Sequence, residues 1–449
     1  MSHLKYSQVE INIISGLMMV GTYLSPPVFG YLSDAHGPAL LALLGSILCP
    51  GYLLAAFSFE WKLNYAVMAF AFFLVGAGTS AAYFCSLLTC AKIYPDRKGL
   101  SISLPVTFYG LSSLLLSSLF KLDIFKVKRN VDDVDAHIER HIGVFKVFMT
   151  LAVLYLVIGL LNFVSSVIVT IEREVLFDKL AGGESSSIGG GNSQQEPASG
   201  STEADDDLYD DQLDEEANEQ TSLLNSEFLE PLDHKTKFRR FLQDPTCKLL
   251  SLSLLLILGP LELYVNNLGS LGPIVGNGNS DIALQVSLFS VFSTVSRLFT
   301  GALSDAIGTA RATYLFIVIA IVLSFISFTL VSLNFTVLEI ITSIIGVAYG
   351  TLFTMCPTLV ATVWGVELLG STWGFFLGAP AIGSLLFGLF YAYEFDSYCL
   401  VQPEGFNQLS FFAGSYCLSM PFGVFAGCTL LAGIIIVACW KGKWSRVVL

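Results

Sequence analysis

The chain has 449 residues, of which 54% are apolar and only 13% charged, and its mean hydropathy is +0.69. This composition excludes an ordinary soluble domain, and the length is sufficient for many membrane spans. The net charge of −13 is local, because the segment from Leu180 to His234 contains 15 Asp and Glu residues and no Lys or Arg. The net charge of the rest of the chain is therefore −13 minus −15, or +2. The sequence contains no basic patch interleaved with aromatic residues, so nucleic acid is not a predicted partner.

Eleven apolar runs are long enough to cross a bilayer as helices, five before the acidic segment and six after it. They lie at about Ile11 to Leu32, Ala39 to Phe59, Tyr65 to Leu88, Leu100 to Phe120, Val144 to Thr170, Lys248 to Ser270, Asp281 to Leu303, Ala312 to Leu333, Thr336 to Thr358, Leu369 to Tyr393 and Leu418 to Trp440. The sequence predicts an all-α polytopic membrane protein. Residues 1–171 form an N-terminal bundle, residues 172–247 a disordered acidic linker, and residues 248–449 a C-terminal bundle.

An eight-residue pattern occurs once in each half of the chain. "GYLSDAHG", residues 30–37, follows the first apolar run, and "GALSDAIG", residues 301–308, follows the second run of the second half. A second pair of related stretches, "GAGTSAAYF" from Gly76 and "GVAYGTLFT" from Gly346, lies two spans beyond each motif. The halves are therefore predicted to be copies of one bundle. The first copy lacks its opening helix, so we expect eleven spans of a twelve-span protein.

Three positions of this pattern have a physical role. The first glycine allows a neighbouring helix to pack closely, and the last glycine allows a tight turn. The aspartate either opposes the positive N-terminus of a helix in a gating contact or only caps the next helix of its own hairpin. Together with a proline inside a later span, these positions form the predicted gating set: Gly30, Asp34, Gly37, Gly301, Asp305, Gly308 and Pro380.

Two ionisable residues, Glu262 and Arg297, lie well inside predicted spans, where a charge is costly and is a functional hypothesis by default. With a rise of about 1.5 Å per residue, they should differ in depth by roughly 10 Å, so no direct pair is expected. Arg297 either binds an anion or snorkels to the nearby membrane surface. Glu262 either faces a binding site or is a protonated or Asn266-bonded interior carboxyl. The predicted substrate-binding residues are Arg297, Glu262 and Asn266.

The paired G-x-L-x-D-x-x-G motif resembles that of the major facilitator superfamily of secondary transporters. The stretches "SPPVFGYLSDAHGP", "LGPLELYVNNLGSL" and "GAPAIGS" are further similar to the fungal group called monocarboxylate transporter homologues. The resemblance implies two helical bundles around a central site, a monocarboxylate-like solute, protons as a candidate partner and a vacuolar membrane location. Arg297 matches an arginine that binds the substrate carboxylate in monocarboxylate transporters, whereas Ser293 stands where those transporters have an aspartate.

The sequence contains no metal-ligand spacing, phosphate-binding loop, dinucleotide fingerprint or nucleophile motif, so we predict no metal, no cofactor and no enzyme activity. We expect a secondary active transporter of a small, anionic solute that works by alternating access in an internal membrane. The alternative is a transport-inactive membrane sensor or scaffold that recruits partners through its acidic linker. Cys399 and Cys417 share one predicted loop, and whether they pair stays open.

Lys and Arg residues near the span ends are more numerous on the side of both motifs, fourteen against eight, which favours a cytoplasmic linker and C-terminus. In this linker, "EQTSLL", residues 219–224, matches the acidic dileucine pattern that sorting adaptors bind. Glu219, Leu223 and Leu224 are therefore predicted sorting residues, with an incidental leucine pair as the alternative.

We expect replacement of both Leu223 and Leu224 by alanine to redirect the protein from the vacuolar membrane, because the adaptor contact requires the two side chains. Folding should not change, since the linker contributes no core. Microscopy of a tagged protein measures the outcome. Unchanged localisation of the double variant would show that the sorting signal lies elsewhere.

Overall fold

The structure is a computed structural model, and it describes residues 8–94, 97–119, 125–128, 140–187, 234–268, 271, 282–333, 337–395, 397 and 418–445. The predicted sorting residues and both Cys399 and Cys417 lie outside the described residues. The described chain is mostly helical, since a helix satisfies its backbone polar groups within a single apolar segment.

The described part of the first half contains seven helices. They are α1 (Gln8–Leu24), α2 (Pro26–His36), α3 (Ala39–Gly45), α4 (Leu48–Glu60), α5 (Tyr65–Ile93), α6 (Lys98–Leu119) and α7 (Val144–Ser187). Between α6 and α7, the strands β1 (Lys126–Lys128) and β2 (Arg140–Ile142) pair antiparallel. The two short strands leave the all-α class of the protein unchanged.

Where the structure describes the second half, it contains one short helix and six long ones. They are α8 (His234–Gln243), α9 (Pro245–Asn266), α10 (Ile282–Ile307), α11 (Thr309–Ser332), α12 (Leu338–Trp364), α13 (Leu369–Glu394) and α14 (Ser419–Cys439), which continues into a π-helical turn at Trp440–Trp444.

In the described part of the chain, nine segments are long and apolar enough to cross a membrane, and α3 with α4 count as one of them. The other two predicted spans are also helical. The first is divided into α1 and α2 at Ser25, where Pro26 and Pro27 begin the second helix without backbone N–H groups. The second, α6, contains Pro105. The polytopic helical class is confirmed, while the count of eleven of twelve spans stays a prediction.

The related glycine stretches occupy equivalent positions in the two halves. A Cβ atom built on Gly76 of α5 would lie 3.0 Å from the backbone nitrogen of Thr22 in α1. A Cβ atom built on Gly346 of α12 would lie 3.0 Å from the carbonyl oxygen of Phe289 in α10. In each half, the absent side chain lets the same pair of helices pack closely, as the repeat predicts.

The predicted bounds of the disordered linker are wrong at both ends. Helix α7 continues to Ser187, and α8 and α9 occupy residues that the sequence assigned to disorder. Helix α8 forms because its aromatic residues recur at helical spacing and find an apolar surface. The ring of Phe241 is buried and packs edge-on against Trp364, Phe375 and Phe376 at 5.3 to 5.8 Å.

Asp244 joins α8, α9 and the C-terminal turn. Its carboxylate accepts hydrogen bonds from the backbone N–H of Thr246 at 3.0 Å and from the Lys443 ammonium at 2.5 Å. Burial opposes the charged form of Asp244, but these partners outweigh it and hold the pKa of the carboxyl below its usual value. The end of the described chain is thus fixed to the start of α9.

Helices α9 and α13 meet backbone to backbone at two glycines. A Cβ atom built on Gly259 would lie 2.8 Å from the Cα atom of Gly383, and one built on Gly383 would lie 2.7 Å from the carbonyl oxygen of Leu255. Real Cβ atoms do not approach backbone this closely, so both positions require the absence of a side chain. Helix α13 continues through the nearby Pro380 without a break.

We therefore expect Gly383→Ala to lower the thermal stability of the purified protein, by about 1–3 kcal/mol of unfolding free energy, because the added methyl overpacks the contact. Gly388→Ala in the same helix is the matched control, since a Cβ atom there meets nothing within 4 Å. Thermal unfolding in one detergent compares the two variants. Equal stabilities would contradict the close approach of α9 and α13.

Candidate functional site

The aspartate of the first motif contacts the second half of the chain. The Asp34 carboxylate, near the end of α2, accepts hydrogen bonds from the backbone N–H groups of Gly370 at 3.2 Å and Ser371 at 2.6 Å. These two residues begin α13. The carboxylate thus lies at the positive end of a helix in the other bundle. We call this contact the Asp34 latch.

The second motif makes the reciprocal contact. The Asp305 carboxylate, near the end of α10, accepts hydrogen bonds from the backbone N–H groups of Gly99 at 2.8 Å and Leu100 at 2.7 Å. Gly99 and Leu100 lie in the first turn of α6. This Asp305 latch mirrors the Asp34 latch, so each half of the chain holds the start of one helix of the other.

The glycines of the motifs explain how the latches form. A Cβ atom built on Gly30 would meet the carbonyl oxygen of Gly370, and one built on Gly301 would lie 2.9 Å from that of Gly99. The absence of a side chain at these first glycines therefore lets the facing helices approach closely. Gly37 and Gly308 have φ angles of +89° and +111°, a backbone conformation that favours glycine, and each lies in the turn that follows its motif helix.

One of the two interpretations of the aspartates is wrong. Helix α3, the next helix after Asp34, starts at Pro38 with no side-chain cap, and α11 likewise starts at Gly308 without one. Neither aspartate caps the next helix of its own hairpin. Both carboxylates instead bind the start of a helix in the facing bundle.

Helix α8 covers the Asp34 latch. The ring of His234 lies 4.8 Å from the ring of Tyr31 in α2, and its Nε2 atom lies 3.3 Å from the hydroxyl oxygen of Ser371. Phe238 contacts the same Tyr31 ring edge-on at 5.7 Å. The helix at the end of the linker therefore bridges α2 and α13 at the position where Asp34 binds.

Arg297 lies between the two halves. Its side chain is 6% exposed, and Nη1 donates a hydrogen bond to the carbonyl oxygen of Val106 in α6 at 2.6 Å. The guanidinium carbon lies 5.8 Å from the centre of the Tyr349 ring. The interpretation that Arg297 snorkels to the membrane surface is wrong, because the side chain extends across the bundle interface instead.

Gly110 makes room for this arginine. A Cβ atom at that position would lie against Nη1 of Arg297, and the neighbouring guanidinium carbon would be only 3.2 Å away. Since Gly110 and Val106 are one helical turn apart on α6, that helix presents a bare backbone to the guanidinium. The sequence offered no signal for Gly110, because glycine is common in membrane helices.

Glu262 is the second buried charge of the interface. Its side chain is 6% exposed, and Oε1 accepts hydrogen bonds from the hydroxyl groups of Tyr349 at 2.8 Å and Tyr23 at 3.2 Å. Tyr23 belongs to α1, so this contact also joins the halves. We call Tyr23, Val106, Glu262, Arg297 and Tyr349 the central site.

The structure places the other predicted residues differently. Asn266 is exposed at the end of α9, and the carboxyl group of Glu262 bonds the two tyrosines rather than Asn266, so the predicted bond between Glu262 and Asn266 is wrong. Among the described ion pairs, none joins Glu262 to Arg297, as expected. Tyr349 connects them instead, and a tyrosine in the Gly-rich stretch of α12 could have indicated a polar group in the span.

A helical membrane protein whose two related bundles meet around buried charges has the architecture of a polytopic transporter. The chain belongs to the Major Facilitator Superfamily, whose family model matches residues 1–388. The superfamily fold is therefore shown, in agreement with the sequence.

The relatives narrow the assignment to one group of fungal transporters. "Probable transporter MCH1" of Debaryomyces hansenii is 37% identical over 456 residues, covering 98% of this chain and 86% of that protein. The protein of the same name from Candida albicans is 36% identical, with coverages of 98% and 85%. The structure of the proton:xylose symporter XylE has a TM-score of 0.62 at 12% identity, covering 98% and 88% of the two chains, and shares the fold.

The latches yield a prediction for Asp305→Asn. The variant keeps the shape but loses the charge, and a hydrogen bond to a charged group contributes about 1.5–3 kcal/mol, so the latched state should lose roughly tenfold in population. Spin labels on the exposed positions Arg97 and Ile307 report the distance between the ends of α6 and α10.

Glu367→Gln is the control for that experiment, because its carboxylate forms an exposed ion pair with Lys237 on the same side of the protein. We expect a longer distance population only in Asp305→Asn. Identical distance distributions for this variant and the unmodified protein would contradict a contribution of the carboxylate charge to closure.

Proposed function

We propose that the protein is a secondary active transporter of a small organic anion. The observation that carries the proposal is the unpaired edge of the Arg297 guanidinium. Nη1 is held by Val106, while the buried Nε and the adjacent Nη2 donate to no group among the described residues. Nε and Nη2 together form the edge that binds a carboxylate with two parallel hydrogen bonds.

Alternating access follows from the position of this edge. Arg297 lies where α6 of one half meets α10 of the other, and both latches close the same interface towards one end of the bundle. Rocking of the halves would break the latches and change access to the central site from one side of the membrane to the other. The gating set Gly30, Asp34, Gly37, Gly301, Asp305, Gly308 and Pro380 belongs to this proposal.

Protons are the proposed coupling ion. Glu262 is the carboxyl group of the central site, and Ser293 supplies none at the position where monocarboxylate transporters have an aspartate. The solved relative XylE is described as a proton symporter. A proton on Glu262 would offset the charge that an incoming anion adds to the interior of the membrane.

We further propose a vacuolar membrane location, supported by the "EQTSLL" stretch as a signal for a sorting adaptor.

The competing function, a transport-inactive sensor or scaffold, uses the same fold. Purified protein in lipid vesicles separates the two, since a transporter produces solute flux along a pH gradient and a sensor binds the solute without flux.

Arg297 variants test the site. We expect Arg297→Ala to abolish uptake of organic anions, and Arg297→Lys to retain below about one tenth of it, because an ammonium keeps the charge but loses the two parallel hydrogen bonds. Uptake is measured in vesicles with equal amounts of each protein. Full activity of the lysine variant would contradict the role of the guanidinium edge, and full activity of the alanine variant would remove Arg297 from the site.

Arg311→Lys provides the matched control, since Arg311 is exposed in the first turn of α11 and lies outside the central site. Its uptake should equal that of the unmodified protein. Equal thermal stability of all three variants ensures that a loss of uptake reflects binding.

A further inference from the structure

The central site contains one basic and one acidic side chain. Arg297 and Glu262 are each 6% exposed, and both belong to the second half of the chain. The Tyr349 side chain separates them, because its ring lies 5.8 Å from the guanidinium carbon and its hydroxyl donates to Glu262 at 2.8 Å. A ligand that fills this site therefore meets a positive pole and a negative pole.

The free atoms of the two poles differ in hydrogen-bond chemistry. The unpaired edge of Arg297 offers hydrogen-bond donors. The second carboxylate oxygen of Glu262, Oε2, accepts no hydrogen bond from the described residues. A plain monocarboxylate satisfies Arg297 but offers no donor to Oε2. A ligand that also carries an ammonium group satisfies both poles.

The distance between the two poles limits the separation of the charged groups in the ligand. Across the Tyr349 side chain, the path from the guanidinium carbon to the carboxylate is at most about 11 Å, and a hydrogen bond of about 2.8 Å is needed at each end. The charged groups of the ligand then lie within roughly 6 Å of each other. Small amino acids, with both groups on one carbon, fall inside this limit.

Charge balance favours the same ligand class. In a medium of low dielectric constant, a site with one cation and one anion accepts a neutral zwitterion without a net charge. A monocarboxylate adds one negative charge, which requires a proton on Glu262. The carboxyl group of Glu262 thus binds either a proton or the cationic end of the ligand.

We propose that the central site binds and carries zwitterionic amino acids, with the carboxylate on Arg297 and the ammonium on Oε2 of Glu262. This inference rests on the proposed transport function and specifies its substrate class. The aromatic rings of Phe289 and Phe353 lie 5.1 and 4.5 Å from that of Tyr349, so the surroundings suit an apolar side chain.

The probes are phenylalanine, 3-phenyllactate and 3-phenylpropionate. On the carbon next to the carboxylate they carry an ammonium group, a hydroxyl group and a hydrogen atom, respectively. Binding to the purified protein is measured by calorimetry, and uptake of labelled phenylalanine is measured in vesicles. We expect the unmodified protein to bind phenylalanine at least tenfold more tightly than 3-phenylpropionate, with 3-phenyllactate between them. Because the ammonium takes the place of the proton on Glu262, phenylalanine uptake should depend less on a pH gradient than uptake of 3-phenylpropionate.

Glu262→Gln should reduce the preference for phenylalanine over 3-phenyllactate to within about twofold, because the amide has lost the charge that binds the ammonium. Glu339→Gln is the matched control, since Glu339 is exposed at the start of α12. It should keep the full preference. If Glu262→Gln does not fold, the order in which the unmodified protein binds the three probes tests the proposal by itself.

Two failures are distinguishable. Equal or tighter binding of 3-phenylpropionate by the unmodified protein, or an unchanged preference in folded Glu262→Gln, would overturn the amino-acid assignment and leave anion transport intact. Absence of binding and flux for all three probes and for other small organic anions would overturn the proposed function, and this inference with it.

Discussion

The structure depends on a carboxylate placed against the first backbone N–H groups of a helix in the opposite bundle. Each of these contacts, at Asp34 and at Asp305, uses donors that no helix can satisfy within itself. The donors belong to the backbone, and the glycines of the motifs allow the close approach of two backbones that these contacts require. The interaction therefore holds the halves together without making the interface a permanent core.

The two latches and the central site share that interface. The first half contributes the hydroxyl of Tyr23 and the carbonyl of Val106, and the second half contributes Glu262 and Arg297. A movement that separates the halves removes one partner from each buried charge. Because an unpaired buried charge is costly, the site would be most stable when a ligand or water replaces the lost partners. The chemistry of the site is thus coupled to the position of the bundles.

The sequence predicted the fold and the two charges but not their partners. Repetition identified Asp34 and Asp305, yet the amides that bind Asp34 lie more than 330 residues away in the chain, and no local pattern indicates them. Glu262 was found because charges are rare in spans. Asn266 was predicted as a hydrogen-bond partner of Glu262, but α9 ends at Asn266 and its side chain is exposed. The aromatic residues of α8 were missed within a charged, polar segment.

Helix α8 makes the two halves unequal despite their related folds. It contacts α2 and α13 through His234 and Phe238, and among the described residues the first half has no equivalent helix. The linker is therefore tethered to one edge of the interface. A protein that binds the linker and displaces α8 would weaken the Asp34 latch and leave the Asp305 latch intact. The two bundles would then separate on the Asp34 side and rotate about the Asp305 latch.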